Sequence, residues 1–374
     1  MEHLNKRFQV FLNIFLIYHL LWLIISQAQA LKSSKPTRAP NNITASAIFV
    51  FGDSTSDPGN NNYITTIFKG NFLPYGRDFA NRKPTGRFTN GRLSTDFIAS
   101  YVGLKEYVPP YLDPSLSTKE LMTGVSFASA GTGFDPLTSR LSDVIPLEKQ
   151  LEYFKEYKKR IGSEIGIQQA EDHVKKAVFI VSAGTNDFVV NYYTVPIRRK
   201  IYTVSSYEQF VIQHVQHFLQ GLWAEGARRI AVAGLPPMGC LPIVITFFSA
   251  NGLKQRDCLD SYSSVARIYN KILQNELQLM HHSLASFGAK ISYVDIYEPL
   301  MQMIQGPKKF GRPTLRALKV VTSIYQADDE VPNCQGYWTG ERKPPLNTDL
   351  DCHLNDDKLG TGPVKDLIEI QVDS

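Results

Sequence analysis

The 374 residues carry 40 Lys and Arg against 35 Asp and Glu, a formal net charge of +5, and 43% are hydrophobic. That balance describes an ordinary globular chain, long enough for one large α/β domain or two small ones. The positive excess is too mild for a nucleic-acid binder, and with no Cys-x-x-Cys pair or histidine cluster neither a metal nor another cofactor is expected.

Lys6 and Arg7 precede the apolar run Phe8 to Ile25, and Ala28-Gln29-Ala30 supplies small residues for cleavage. Residues 1–30 therefore read as a secretory signal peptide, which predicts a secreted, extracellular chain. Asn13, Tyr18 and His19 interrupt the run, so no stable membrane span is expected after cleavage, which would leave a net charge of +4. Residues 31–45 read as a flexible lead-in holding one glycosylation acceptor, Asn42-Ile43-Thr44. Export permits disulfides among Cys240, Cys258, Cys334 and Cys352, and Cys240–Cys258 would close a short loop.

The first strand is predicted at Ala45 to Phe51, a short apolar run rich in β-branched and aromatic residues. A turn of Gly, Asp, Ser, Pro and Asn follows, placing Ser54 at the strand's carboxyl end, where open α/β sheets hold ligands. As a bare Gly-Asp-Ser, Ser54 reads first as a helix N-cap, and the rest of the chain must decide. Leu93 to Val102 has helical spacing with Leu93, Phe97 and Tyr101 on one face. A second strand from Gly124 runs into the small-residue turn Ala128 to Gly133, and Pro146 to Arg160 reads as an amphipathic helix.

The third strand, Ala177 to Ser182, ends in Ala183-Gly184-Thr185-Asn186-Asp187. The aromatic stretch Phe188 to Tyr193 either lines a pocket or packs as core. A helix from Ser205 to Ala224 carries a capping-box pattern to Glu208. The fourth strand spans Arg229 to Ala233, a long helix Leu259 to Phe287, and the fifth strand Lys290 to Tyr297. Alternating strands and helices predict an α/β fold on a parallel sheet. His214, His217, His281 and His282 fall inside predicted helices and read as surface or packing residues, and His173 stands at the wrong end of the third strand. No segment stands out as a hydrophobic lid.

Three small-residue turns thus stand at strand ends: at Ser54, Gly131 and Asn186. Acyl transfer needs a nucleophile and donors aimed at the oxyanion. Ser54 offers a hydroxyl and its own N–H, Gly131 an unshielded N–H, and Asn186 a neutral amide donor. Taken singly, Gly131 reads as a turn residue and Asn186-Asp187 as an Asx-turn or helix cap.

The spacing Gly52-Asp53-Ser54-x-x-Asp57-x-Gly59-Asn60-Asn61 resembles the first block of the plant GDSL esterase/lipase family. Phe127-Ala128-Ser129-Ala130-Gly131 is similar to its second block and Gly184-x-Asn186-Asp187 to its third. Pro74-Tyr75-Gly76, Leu235 to Pro242 and Val294-Asp295-Ile296-Tyr297 carry the likeness further, over roughly residues 46–311. The resemblance implies an SGNH-hydrolase domain over 46–311, a flavodoxin-like three-layer sandwich, secreted and acting on small-molecule or lipid esters. It assigns Ser54 as nucleophile, Gly131 and Asn186 as oxyanion-hole donors, and Asp57 as a residue shaping the Ser54 loop.

The C-terminal segment 312–374 departs from the family. It holds seven Lys/Arg and eleven Asp/Glu, lacks the family's Asp-x-x-His block and paired-cysteine segment, and reads as loop-rich or disordered. Its one histidine, His353, follows Asp349 by four residues and Asp351 by two. A serine hydroxyl needs a base to take its proton. Two expectations therefore stand: a serine ester hydrolase, working or impaired, or a relative that binds an ester or carbohydrate ligand without turnover.

Overall fold

The computed structural model describes residues 45–250 and 256–306. Five strands, β1 Ile48–Gly52, β2 Gly124–Ser126, β3 Val178–Ser182, β4 Arg229–Ala233 and β5 Lys290–Val294, form one parallel sheet in the order β2-β1-β3-β4-β5. This is the expected α/β class with the flavodoxin-like strand order. The direction of winding reverses between β1 and β3, and a crevice opens there at the carboxyl ends. Around the sheet lie α1 Ser94–Tyr101, α2 Thr118–Leu121, α3 Pro136–Ser142, α4 Leu147–Ile165, α5 Ile167–Lys176, α6 Val204–Ala224, α7 Pro242–Phe248, α8 Asp260–Leu284 and α9 Tyr297–Gln305. None of the described helices is long and apolar enough to cross a membrane.

All five residues of β1 are buried, which explains its unbroken apolar run. Alternate side chains divide between the two faces. Phe49 lies 5.2 Å from Phe154 and 4.9 Å from Tyr157 of α4, and 5.3 Å from Phe179 of β3. Phe51 joins the same cluster, which takes in the apolar stripes of α4, α6 and α8. Ile48 and Val50 turn the other way and pack with Ile180, Val108 and Ala99 of α1. The sheet is therefore the middle of three layers.

Several elements differ from the sequence expectation. Helix α1 starts at Ser94 and its buried side is Thr95, Asp96 and Ala99; of the expected stripe Leu93, now the N-cap, is buried, while Phe97 and Tyr101 are only half-buried. Asp96 is drawn inward because it meets Arg87 at 3.0 Å and accepts from the N–H groups of Leu93 and Val108. A hydrophobic periodicity cannot register that ion pair. Helix α6 begins one residue early, capped by the Thr203 hydroxyl, which accepts from Ser206 N at 3.2 Å; Glu208 is buried instead of closing a capping box on Ser205. Helix α4 runs on to Ile165, β5 stops at Val294, and α5 was not anticipated because only Ala170 and Val174 of its ten residues are buried.

The stretch Asp187–Thr194 is π-helical, and Phe188, Val189 and Tyr192 pack in the core against Tyr207 and Tyr269, not around a pocket. Cys240 and Cys258 form a disulfide. His281 accepts from the Ile291 N–H through Nδ1, a packing role. The proposed signal peptide, nearly all of the lead-in with Asn42, and the segment 312–374 with His353, Asp349 and Asp351 lie outside the described residues.

Candidate active site

β1 sits between β2 and β3, with Val50 opposite Ser126 and Gly52 opposite Ser182. Ser54, Gly131 and Asn186 follow those three strands by two, five and four residues, so their turns stand side by side at the carboxyl edge. All of them are buried or nearly so, with Ser54 6% exposed and Asn186 5%.

Backbone and side-chain bonds tie each turn to its neighbours. Asp53 N donates to Ser182 O at 3.0 Å, and the Thr55 and Ser182 hydroxyls lie 2.8 Å apart, fastening the Ser54 turn to β3. The Asp57 carboxylate accepts from Gly59 N and Asn60 N through Oδ1 and from Ala130 N through Oδ2, fastening the same turn to the one bearing Gly131. Asn60 donates to the carbonyls of Ser126 and Ala128, and Asn61 to that of Ala130. Asn186 Nδ2 donates to Thr132 O at 2.9 Å, joining the second and third turns. Gly131 has φ +91°, a left-handed conformation that side chains resist.

These bonds leave particular donors over. Among the described residues no hydrogen bond engages the N–H of Ser54, the N–H of Gly131 or the Ser54 hydroxyl. Asn186 spends one amide hydrogen on Thr132 and retains the other. Three uncommitted N–H donors and one hydroxyl therefore share the switch point between β1 and β3. An oxyanion there would replace none of the site's own bonds.

Asp187 stiffens the floor beneath Asn186. Its carboxylate accepts from Phe134 N at 2.7 Å and Asp135 N at 3.1 Å, and from the Thr138 hydroxyl. Asp135 in turn is held by Arg198 in two bonds of 2.7 Å and by Tyr207. Burial pushes the carboxyls of Asp53 and Asp57 up to about 6, and that of Asp187 to about 7, against the opposing pull of their N–H donors. For Asp135 burial pushes the carboxyl up, but the Arg198 guanidinium, the Leu137 N–H and the Tyr207 hydroxyl together outweigh it and hold the carboxyl below its usual value.

Sequence reasoning missed Gln150 on α4. It is fully buried; Oε1 accepts from Gly52 N at 2.9 Å and Nε2 donates to Gly52 O at 3.0 Å, gripping both backbone groups of the residue where β1 ends. A lone glutamine in an amphipathic stripe carries no signal of that kind. A cavity of about 40 Å³ opens beside Asp53 and Thr55, lined by Ser182, Thr185, Pro236 and Ile296, with room for ordered water but not for an acyl chain.

Residues 48–351 match the family model described as GDSL-like lipase/acylhydrolase, a span that continues past Gly311, where the block-by-block likeness ends. The chain is 61% identical over 268 residues to the GDSL esterase/lipase At5g45960 of Arabidopsis thaliana, covering 72% of each. It is 46% identical to At2g24560 from the same plant, over 71% of this chain and 72% of that one. With At2g04570 the identity is 41% over 281 residues, 75% of this chain and 79% of the relative.

Proposed function

Because the chain belongs to the GDSL-like lipase/acylhydrolase family, we propose that it is a serine ester hydrolase working through an acyl-enzyme on Ser54. The observation that carries this reading is the set of three uncommitted donors, Ser54 N, Gly131 N and Asn186 Nδ2, beside an uncommitted serine hydroxyl. The Ser54 Oγ attacks the ester carbonyl carbon, its proton passes to a base, and the three donors receive the tetrahedral oxyanion. Collapse expels the alcohol, which takes up that proton, and water then frees the acid by the same steps. Asp57 holds the Ser54 and Gly131 turns in register through both carboxylate oxygens.

The candidate base is His353, the one histidine beyond Gly311, with Asp349 and Asp351 before it in the sequence; as a plain tail residue it would leave Ser54 without a base. The substrate class is an acyl or lipid ester, met outside the cell after removal of residues 1–30, with Asn42 as the glycan acceptor. A second reading rests on one sequence observation: the tail has no Asp-x-x-His. Without a working base the chain would bind an ester in an intact oxyanion hole and not turn it over.

A short-chain p-nitrophenyl ester assay on the secreted protein, with Ser54→Ala and His353→Ala alongside, separates the two. Turnover lost in both variants supports the hydrolase with His353 as base. Turnover that survives Ser54→Ala refutes the nucleophile assignment, and a folded but inert parent leaves the binding reading.

A further inference from the structure

Among the described residues twelve large hydrophobic side chains are well exposed, and four of them fall within the eleven residues 63–73. Ile67 is 91% exposed, Leu73 68%, Tyr63 46% and Phe72 45%. Single exposed apolar residues need no explanation, but a cluster of this kind marks a surface meant to be covered. Their irregular spacing gives the sequence no periodic signal for such a surface.

The loop that carries them is fastened to the turn bearing Gly131. It begins just after Asn61, which donates to Ala130 O in the Gly131 turn and to Phe68 O within the loop. The Thr66 hydroxyl donates to Ser142 O at the end of α3, beside Leu141, itself 39% exposed. The far end is pinned by Gly86 N donating to Gly70 O. The exposed side chains are thus held on a braced loop at the carboxyl edge of the sheet.

Positive charge borders them. Within residues 63–92 stand Lys69, Arg77, Arg82, Lys83, Arg87 and Arg92 against Asp78 alone. Arg87 is spent on Asp96 and Arg77 on Asp78, but no ion pair among the described residues engages Lys69, Arg82 or Lys83. The segment carrying Arg82 and Lys83 is closed by Gly76 N donating to Thr89 O and by the Tyr75 and Phe88 rings 5.5 Å apart, and just past Lys83 it meets the loop where Gly86 N donates to Gly70 O.

We infer that residues 63–73 and their basic border are an interfacial docking surface that seats the enzyme on an anionic lipid layer. Apolar side chains enter the acyl boundary while lysines and arginines meet the headgroups. The inference rests on the hydrolase reading, since it brings the Ser54 site to the layer that supplies the ester.

The test is sedimentation of the full secreted chain, carrying Ser54→Ala so that lipid is not consumed, with one-to-one phosphatidylcholine–phosphatidylglycerol vesicles. Binding is expected at low salt and should weaken as salt rises. Ile67→Ser and Leu73→Ser should each lower the partition coefficient about tenfold, and Lys83→Gln about fivefold. In the chain with Ser54 restored, Ile67→Ser and Leu73→Ser should leave turnover of soluble p-nitrophenyl acetate unchanged. No vesicle binding, partition indifferent to these substitutions, or a solution dimer that they dissociate would overturn the inference. An inert parent refutes only the hydrolase reading, because vesicle binding is measured without turnover.

Discussion

Replacing Asn186 by Ala tests the site on two scales at once. The side chain has two amide hydrogens, one given to Thr132 O at 2.9 Å and one uncommitted. If the second hydrogen meets the oxyanion, its loss should cost about 3–4 kcal/mol of transition-state stabilisation, a fall of roughly 10²–10³ in kcat. KM should change little, because a planar ester carbonyl gains less from that donor than the tetrahedral oxyanion does. The first hydrogen makes a separate contribution. Thr132 is fully buried, and its carbonyl has no other donor among the described residues, so the variant should lose about 1–3 kcal/mol of stability. Esterase kinetics with p-nitrophenyl butyrate read the first quantity, and urea unfolding reads the second. Asn186→Asp provides the contrast: it fills the same volume but brings a negative charge toward the oxyanion, so its activity should fall below that of the alanine variant. A kcat within about threefold of the parent, in an alanine variant destabilised as expected, would refute the donor role and leave Asn186 a purely structural tie.

Gly131→Ala places a Cβ on a residue at φ +91° and 3.1 Å from Ser142 Cβ; it should cost about 1–3 kcal/mol and misdirect the N–H, lowering kcat and thermal midpoint together. A pH series addresses the buried carboxyls. Asp57 and Asp187 have folded values of about 6 and about 7, above the ordinary 3.8, so their stabilising contribution is full below about pH 4 and fades as pH rises through 6 to 7. The stability advantage of the parent over Asp187→Asn should therefore shrink from pH 4.5 toward pH 8, by an amount on the order of 3–4 kcal/mol; unfolding curves in which it grows with pH would show the N–H donors outweighing burial. Replacing Cys240 and Cys258 with alanine opens a link spanning 18 residues and should cost about 3 kcal/mol in denaturant unfolding, while the Ser54 site keeps its activity on soluble esters.

The strands that place the site were legible because parallel strands buried on both faces read as plain apolar runs. Arg229–Ala233 falls where expected, and β1 and β3 within a few residues. The three turns were legible because nucleophile and donors sit on small residues at strand ends, and register alone sets them abreast. What the sequence concealed is polar. Asp96, Gln150 and Asp187 are buried through partners 9, 98 and 53 residues away, Arg87, Gly52 and Phe134, and no local pattern encodes such a partnership. The expected fifth strand overruns β5 by three residues because Val294-Asp295-Ile296-Tyr297 reads as an apolar continuation, whereas Asp295 accepts from Tyr297 N and Glu298 N and turns the chain into α9. The exposed apolar loop had no period to betray it.

The grip of Gln150 on Gly52 sets a rule for which changes of length this fold can absorb. A helix turns about 100° per residue, so adding or deleting one residue between Asp143 and Pro146 and carrying the register into α4 would swing Gln150 off the strand. The buried N–H of Gly52 would then lose its acceptor, and the serine turn two residues later its anchor. The short connection before α4, whose Ile145 also bonds to the Ser129 and Thr132 hydroxyls flanking Gly131, is therefore closed to insertion.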